Sequence, residues 1–187
     1  AECLNLPKLN HLEFSGCEAA ALDVFALALP ENILKSLKII RVYYLDAQFS
    51  NFVRKQTEIK KLELSSDSGD YLTVEPLTAL KLESLYIYLR DDEDRRSQQY
   101  EFLKTLITSQ SDLVELNLLN DSAYSHCLLD SEIFNEICNM KRLEKLFINI
   151  DKISAESIRR ISNLKALKEL HLNTYYDESI AIFGELS

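Results

Sequence analysis

The sequence has few of the residues that make a chain flexible, and it lacks common motifs of enzyme active sites. Its 187 residues include three glycines, three prolines, one methionine and no tryptophan. So little glycine and proline argues against long flexible linkers, and neither a glycine-rich phosphate loop nor a Gly-x-Ser-x-Gly nucleophile turn is present. No apolar run reaches the roughly 20 residues that span a bilayer, and the N-terminus lacks the pattern of a signal peptide. These absences predict one folded domain over residues 1–187, long enough for a sizeable core.

Clustered basic residues are also missing. The chain has 21 lysines and arginines against 30 aspartates and glutamates, a formal net charge of −9 and a pI near 4.9. Phosphate binding needs concentrated Lys and Arg, so this balance argues against a nucleic-acid partner. The same deficit argues against an anionic membrane surface. We therefore expect neither nucleic acid nor membrane among the partners.

The cysteines and histidines form no recognised metal or nucleophile pattern. Four cysteines occur without a Cys-x-x-Cys pair or nearby paired histidines: Cys3, Cys17, Cys127 and Cys138. The three histidines lie in different parts of the chain: His11, His126 and His171. A hydrolytic site needs base, nucleophile and orienting group within hydrogen-bond reach, and no such set is evident. We expect no catalytic residues, no metal and no cofactor, and we interpret the cysteines as buried or half-buried free thiols in a reducing compartment, the cytoplasm or the nucleus.

A phrase of the form Leu-x-x-Leu-x-Leu, with other apolar residues at some positions, recurs seven times. Its copies are Leu9-x-x-Leu12-x-Phe14, Leu37-x-x-Ile40-x-Val42, Ile59-x-x-Leu62-x-Leu64, Leu82-x-x-Leu85-x-Ile87, Leu113-x-x-Leu116-x-Leu118, Leu143-x-x-Leu146-x-Ile148 and Leu167-x-x-Leu170-x-Leu172. The second apolar anchors of consecutive copies are 22 to 31 residues apart. Self-similarity at a period of roughly 20 to 50 residues is typical of a solenoid, whose stacked units present one extended concave surface.

The segments between the phrases have helical periodicity. Apolar residues recur three and four positions apart in them, which predicts helices over 18–29, 47–55, 98–108, 131–139 and 154–163, and a short helix within 67–80. Ser131 is a candidate N-cap for the helix that it begins. Strand, crossover helix and parallel strand then alternate, so the predicted fold is α/β: a leucine-rich-repeat solenoid of about seven repeats. We expect a curved horseshoe with parallel strands on the concave face and helices on the convex face.

Two segments carry a finer pattern. Residues 153–172 read Ile-Ser-x-x-Ser-Ile-x-x-Ile-x-x-Leu-x-x-Leu-x-x-Leu-x-Leu, and residues 6–17 read Leu-x-x-Leu-x-x-Leu-x-Phe-x-x-Cys. Both resemble the cysteine-containing, ribonuclease-inhibitor-like subtype of leucine-rich repeat. That subtype is common in F-box leucine-rich-repeat proteins, the substrate receptors of cullin–RING ubiquitin ligases. The chain departs from the subtype at the position that many repeats fill with Asn or Cys, which holds Cys17, Leu45, Asp67, Arg90, Asp121, Asp151 and Tyr175.

The residues between the leucines of each strand are expected on the concave face, because side chains alternate along a strand. Repeats four to six then place Tyr86, Tyr88, Leu119 and Phe147 side by side, and in the second repeat the central position of the face falls to Arg41. Tyr and Phe are frequent interface anchors. The alternative is that the aromatics are isolated or covered by a neighbouring loop. The predicted partner-binding residues are Tyr43, Tyr86, Tyr88, Asn117, Leu119, Phe147 and His171.

The loops after the strands are a second candidate surface. Asp91-Asp92-Glu93-Asp94 follows the fourth strand, and residues 175–178 follow the seventh. The acidic run would attract a basic segment of a partner, or it is simply a solvated loop. Its spacing lacks the glycine and the terminal Glu of an EF-hand calcium loop, so it does not predict a calcium site.

Together these features predict a protein–protein interaction scaffold and not an enzyme. The resemblance implies the substrate-recognition part of an F-box type cullin–RING ubiquitin ligase, and residues 1–187 are then expected to be part of a longer protein. A cullin–RING adaptor would be a further partner only if the full-length chain carries an F-box. The alternative keeps the fold but makes the chain an inhibitory or sensing module without a ubiquitin role, similar to the repeat regions of ribonuclease inhibitor or of intracellular immune receptors.

Overall fold

One parallel sheet organises the residues that the structure describes. The computed structural model describes residues 6, 8–16, 24, 28–40, 47–66, 74–89, 94, 96–120, 129–149 and 154–173. The seven strands are β1 (His11–Ser15), β2 (Ser36–Ile40), β3 (Lys61–Ser66), β4 (Ser84–Leu89), β5 (Glu115–Asn120), β6 (Lys145–Asn149) and β7 (Glu169–Asn173). Each strand pairs in parallel with the next one along the chain, so the order across the sheet is the order in sequence. The predicted α/β class and parallel strands are confirmed.

Helices occupy the five crossovers from β2 to β7, the connections that parallel pairing needs and that are usually helical. They are α1 (Ala47–Arg54), α2 (Glu75–Thr78), α3 (Arg96–Ser109), α4 (Ser131–Cys138) and α5 (Ala155–Arg159), which continues as a 3-10 helix, Arg160–Asn163. The predicted helices are confirmed to within a few residues, except the one over 18–29, which lies mostly outside the described residues. In the part of the chain that the structure covers, no helix is both long and apolar enough to cross a bilayer.

The start of α4 corrects one predicted helix cap. Ser131 was the expected N-cap, but Asp130 takes that position. Its carboxylate oxygen Oδ1 accepts hydrogen bonds from the backbone N–H groups of Glu132 at 3.0 Å and Ile133 at 2.9 Å. The carboxylate is the better cap here because it accepts two of the otherwise unpaired N–H groups and its charge complements the helix N-terminus.

One face of the sheet packs against the helices and forms the core. The leucines at the second anchor of the phrase are fully buried in the five inner strands: Leu37, Leu62, Leu85, Leu116 and Leu146. The apolar stripes of the helices pack on the same cluster, for example Phe52 of α1 and Phe134 of α4. The equivalent Leu170 is 39 % exposed, because β7 has a paired neighbour on only one side among the described strands.

The register of β2 overturns one prediction from the sequence. The predicted second phrase was Leu37-x-x-Ile40-x-Val42, with Arg41 and Tyr43 on the open side of the sheet. In the structure Leu37 pairs with Leu12 and Leu62, so it is the second anchor and not the first. The phrase therefore begins at Leu34 and ends at Ile39, which is 2 % exposed.

The cause of this error is an overlap of two apolar patterns. Leu34, Leu37 and Ile40 are evenly spaced by three residues, so the sequence alone allows the phrase to start at either leucine. Burial of Leu34 and Ile39 in the core selects the earlier start. Lys38, and not Arg41, consequently holds the central position of β2, while residues 41–46 lie outside the described part of the chain.

A backbone hydrogen-bond pattern recurs at the start of every strand after the first. The carbonyl of Asn10, just before β1, accepts from the N–H groups of Lys35 at 2.7 Å and Ser36 at 3.0 Å. Five further carbonyls each accept two N–H groups from the next unit in the same way: Lys35, Lys60, Glu83, Val114 and Glu144. The unit that the sequence repeats is therefore repeated in backbone conformation as well.

Two buried glutamines connect neighbouring units. The Gln56 side chain donates to the Pro30 carbonyl at 2.7 Å and accepts from the N–H groups of Ile33 and Leu34 at 3.1 and 3.2 Å. Gln110 occupies the same place relative to its phrase, three residues before the first anchor. It accepts from the Leu82 N–H at 3.1 Å. These amides satisfy buried turn groups, while the Asn/Cys positions singled out in the sequence lie outside the described residues.

Replacing Gln110 with methionine is expected to lower the free energy of unfolding by about 1–3 kcal/mol. Met has a similar shape but cannot pair with the Leu82 N–H or with the Leu77 carbonyl, which Gln110 Nε2 contacts at 3.3 Å. Urea titration followed by circular dichroism measures the change. Gln98→Met, on an exposed position of α3, is the matched control and should change stability by less than about 0.5 kcal/mol. Equal stabilities for the two variants would contradict a structural role of the Gln110 amide.

Candidate functional site

The side of the sheet away from the helices carries the candidate site, and we call it the open face. Alternation along each strand places three rows of side chains on it. The central row is Glu13, Lys38, Glu63, Tyr86, Asn117, Phe147 and His171; one flanking row is Ser15, Ile40, Ser65, Tyr88, Leu119, Asn149 and Asn173; the other is His11, Ser36, Lys61, Ser84, Glu115, Lys145 and Glu169. On β4 to β6 the face therefore carries Tyr86, Tyr88, Phe147 and Leu119 together with the amides of Asn117 and Asn149.

Strand pairing brings six of the seven predicted partner-binding residues together. Tyr86 lies opposite Asn117, and Tyr88 lies opposite Leu119. Asn117 in turn pairs with Phe147, and Phe147 pairs with His171. All are half-buried except His171, which is exposed. The seventh, Tyr43, lies outside the described residues.

A depression of about 160 Å³ lies between β3, β4 and β5 on the open face. Ser65 and Asn117 are small side chains beside the bulky Tyr88 and Tyr86, to which they are paired across the sheet. The difference in size leaves a hollow between them. Its lining is Glu63, Leu64, Ser65, Tyr86, Ile87, Tyr88, Asn117 and Leu119.

Tyr86 is held between two charged neighbours. The ammonium nitrogen of Lys61 lies 4.6 Å from the centre of the Tyr86 ring, an attractive cation–π geometry. Burial, together with a hydrogen bond to the Glu115 carboxylate, raises the pKa of Tyr86 well above its usual value. The phenol therefore stays protonated and donates to Glu115. These contacts fix the orientation of the ring before any partner arrives.

Phe147 and His171 form the other end of the aromatic part of the face. Their rings are stacked, with centroids 4.4 Å apart and an angle of 10° between the planes. His171 Nε2 lies 3.2 Å from Glu169 Oε1, and Lys145 Nζ lies 3.6 Å from Glu169 Oε2. The stacked pair is thus bordered by an ion pair, and Phe147 is paired on its other side with Asn117.

The first three strands carry a charged part of the open face. Lys38 Nζ lies 3.1 Å from Glu63 Oε1 and 4.0 Å from Glu13 Oε2. The hydrogen bond to Glu63 is the main cause of a raised pKa at Lys38. The three side chains alternate in sign across neighbouring strands, so one positive charge offsets one of the two negative charges. Partly exposed pairs of this kind contribute little to stability.

Sequence reasoning missed three residues of the site. Lys38 was hidden by the wrong register of β2. Glu63 and Ser65 lie on the face that alternation along the strand predicts, but they were not among the predicted binding residues, although both line the depression. The signal for Ser65 was present in the sequence: a small residue in the same row as Tyr88 leaves space beside the larger ring.

The described residues bring together no group of three or more His, Cys, Asp or Glu side chains that would hold a metal ion. Cys138 is a free thiol buried at the end of α4, away from the open face. Of the acidic run after β4, Asp91 to Glu93 lie outside the described part of the chain. The open face offers contact area, hydrogen-bonding groups and paired charges, which are the means of non-covalent recognition.

Comparison with known protein families found no family that matches this chain. A search of curated proteins likewise found no significant match.

Proposed function

We propose that this chain is a leucine-rich-repeat solenoid that binds a protein partner on its open face. Three observations support the repeat architecture. The phrase recurs in all seven strands, the strands pair in their order along the chain, and the carbonyl pattern at the strand starts recurs from unit to unit. In such an array each unit contacts mainly its neighbours, and the strands together make an extended binding surface.

The observation that carries the binding proposal is the group of partly exposed aromatic and apolar side chains on β4 to β6. Tyr86, Tyr88, Leu119 and Phe147 are each only half-buried. Tyr88 is paired with Leu119, and Asn117 is paired with both Tyr86 and Phe147. Contiguous apolar area that is left open to solvent marks interaction sites in monomeric proteins. Interfaces are enriched in Tyr and Phe, and aromatic anchors carry much of the binding free energy.

The proposed mechanism contains no covalent step by this chain. The face holds and orients a partner, which raises the effective concentration of that partner for whatever lies in the same assembly. With the F-box resemblance, the partner is a substrate of a cullin–RING ubiquitin ligase and other subunits transfer the ubiquitin. A cullin–RING adaptor would bind through an F-box elsewhere in the full-length protein.

Tyr88→Ala and Phe147→Ala are each expected to weaken partner binding by roughly 1–3 kcal/mol, which is about 5- to 150-fold in Kd. Both changes remove contact area from a surface that is already partly open, so fold stability should change little. The test is affinity capture of the full-length protein from its native cells, quantified by mass spectrometry for wild type and both variants. Thr105→Ala, on an exposed position of α3, is the control for the helix side.

The identity of the captured proteins separates the possible roles. A cullin and its adaptor recovered with sub-stoichiometric proteins that are lost in both face variants would support substrate recognition. A single stoichiometric partner that is lost in the face variants, without ligase subunits, would replace that role with an inhibitory or sensing one. Recovery of every partner at wild-type levels by both Tyr88→Ala and Phe147→Ala would overturn the open face as the interface.

A further inference from the structure

We propose that the depression between β3, β4 and β5 takes one uncharged side chain, aliphatic or aromatic, from an extended peptide segment of the protein partner. The Asn117 amide then hydrogen-bonds to the main chain of that segment. The inference rests on the proposed function and names the chemistry that the open face recognises. It depends on the size of the depression, on the pairing of the charges around it and on the hydrogen-bonding capacity of the Asn117 amide.

The size of the depression matches one side chain. Its volume is about 160 Å³, whereas pockets for drug-sized ligands and cofactors hold roughly 300–1,000 Å³. A cavity of about 150 Å³ in a protein core accommodates benzene. A Leu, Ile, Met or Phe side chain is therefore of the right order, and a nucleotide or a similarly large metabolite is not.

The lining of the depression favours apolar contact. Its walls are the rings of Tyr86 and Tyr88 and the side chain of Leu119, with Ser65 and Asn117 leaving the space between them. Tyr86 is held in place by Lys61 and Glu115. A preformed apolar hollow gains affinity because less side-chain freedom is lost when the partner binds.

The charges around the depression already have partners. Glu63 is engaged by Lys38 at 3.1 Å, Glu115 accepts from the Tyr86 hydroxyl, and Lys61 lies over the Tyr86 ring. An incoming Lys or Arg would have to compete with Lys38 for Glu63. An incoming carboxylate would meet both Glu63 and Glu115. The favoured occupant is therefore neutral, since a charged one would lose its hydration without gaining an unpaired counter-charge.

Asn117 supplies the polar part of the recognition. Its side chain is half-buried at the edge of the depression and hydrogen-bonds to none of the residues that the structure describes. A side-chain amide has a carbonyl acceptor and an NH₂ donor, the same complement as a peptide unit. Helices and sheets already use their own peptide groups, so an extended segment is the one that has both groups to offer.

The test is a selection of random heptapeptides displayed on phage against the folded full-length chain. We expect the enriched peptides to share one Leu, Ile, Met or Phe with uncharged neighbours. For a synthetic copy of the most enriched peptide, Kd is then measured by fluorescence anisotropy. Ser65→Leu, which fills the depression, should weaken binding at least about tenfold, and Asn117→Leu should have an effect of similar size.

Ser15→Leu is the matched control, because it makes the same change in the same row on β1 and should leave Kd unchanged. Leu119→Arg provides a second variant that blocks the depression if Ser65→Leu does not fold, as judged by circular dichroism. Binding should also vary less than about twofold between low salt and roughly 0.5 M salt, since no unpaired charge is used.

Three outcomes would overturn the inference. They are a charged consensus among the enriched peptides, no enrichment above a selection without the protein, or wild-type affinity for the peptide in a folded Ser65→Leu or Leu119→Arg chain. Its failure is distinguishable from that of the proposed function. Loss of a cellular partner in Tyr88→Ala but not in Ser65→Leu would contradict only the role of the depression, and the open face would remain the interface. Retention of the partner by both Tyr88→Ala and Phe147→Ala would contradict the proposed function itself.

Discussion

Truncating Leu116 to alanine is expected to lower the free energy of unfolding by about 2–5 kcal/mol. Leu116 has no exposed surface, and it lies in the middle of the leucine row, between Leu85 and Leu146. Strands on both sides hold its neighbours in place, so the cavity left by the missing atoms cannot collapse fully. The loss then includes a cavity contribution as well as the lost burial. Urea or guanidinium titration followed by circular dichroism gives the difference.

Leu119→Ala is the matched control for this prediction, because it removes the same atoms from the same strand. Leu119 is only half-buried and lies on the open face. Its truncation should therefore change stability by less than about 1 kcal/mol. A loss at Leu119 as large as that at Leu116 would mean that the open face is covered in the folded protein, against both the fold and the proposed function.

Cys138 is expected to react with iodoacetamide at least about 100-fold more slowly than an unstructured cysteine at pH 8. Burial raises the pKa of its thiol from the usual 9.0 to about 11, partly opposed by Arg160. At pH 8 that shift alone leaves roughly a hundredth of the ordinary thiolate fraction, and the thiolate is the reacting form. The side chain is also only 1 % exposed, so reaction requires the structure to open around α4.

Peptide-resolved mass spectrometry separates Cys138 from Cys3, Cys17 and Cys127 in this experiment. The reference is a blocked peptide with the local sequence Ile137-Cys138-Asn139. If opening limits the reaction, Leu116→Ala should accelerate alkylation of Cys138, because it reduces the free energy of opening. Alkylation of Cys138 in the wild-type chain at the rate of the peptide would show that the packing of α4 on the core is wrong.

Much of the fold follows from one-dimensional patterns. Leu-x-x-Leu-x-Leu combines an anchor before the strand with alternation inside it, and this predicted the strand positions of six of the seven phrases. Apolar spacing of three and four residues predicted α3 and α4 to within a few residues. Both patterns can be recognised in the sequence because residues on one face of a helix or strand are only a few positions apart in the chain.

The second phrase shows where local patterns stop being sufficient. Around β2, two starts three residues apart satisfy the same spacing, and only the pairing of Leu37 with Leu12 and Leu62 selects one. The error moved the predicted face residues from Lys38 and Ile40 to Arg41 and Tyr43. A small shift of register changes which side chains reach the core, so it also changes the predicted site.

The capping and connecting groups were likewise decided by contacts distant in sequence. Gln56 bonds to backbone groups more than 20 residues away, and nothing in the residues around it predicts those partners. The Asp130 cap combines a local element with a distant one, because the Tyr100 hydroxyl on α3 also donates to its carboxylate at 2.9 Å.

The amino-acid sequence by itself determined the repeating unit, the parallel α/β arrangement and the side of the sheet on which Tyr86, Tyr88, Leu119 and Phe147 lie. All of these depend on periodicity along the chain. Residues that recur at the period of a helix or strand lie on one face of it, and the apolar face is the one that is buried. Only the tertiary structure decided the register of β2, the depression beside Asn117, and the pairing of Lys38 with Glu63 and of Lys61 with Tyr86. Those features arise between strands that lie more than 20 residues apart in sequence. A contact between the side chains of two neighbouring strands produces no periodic pattern in the sequence of either strand.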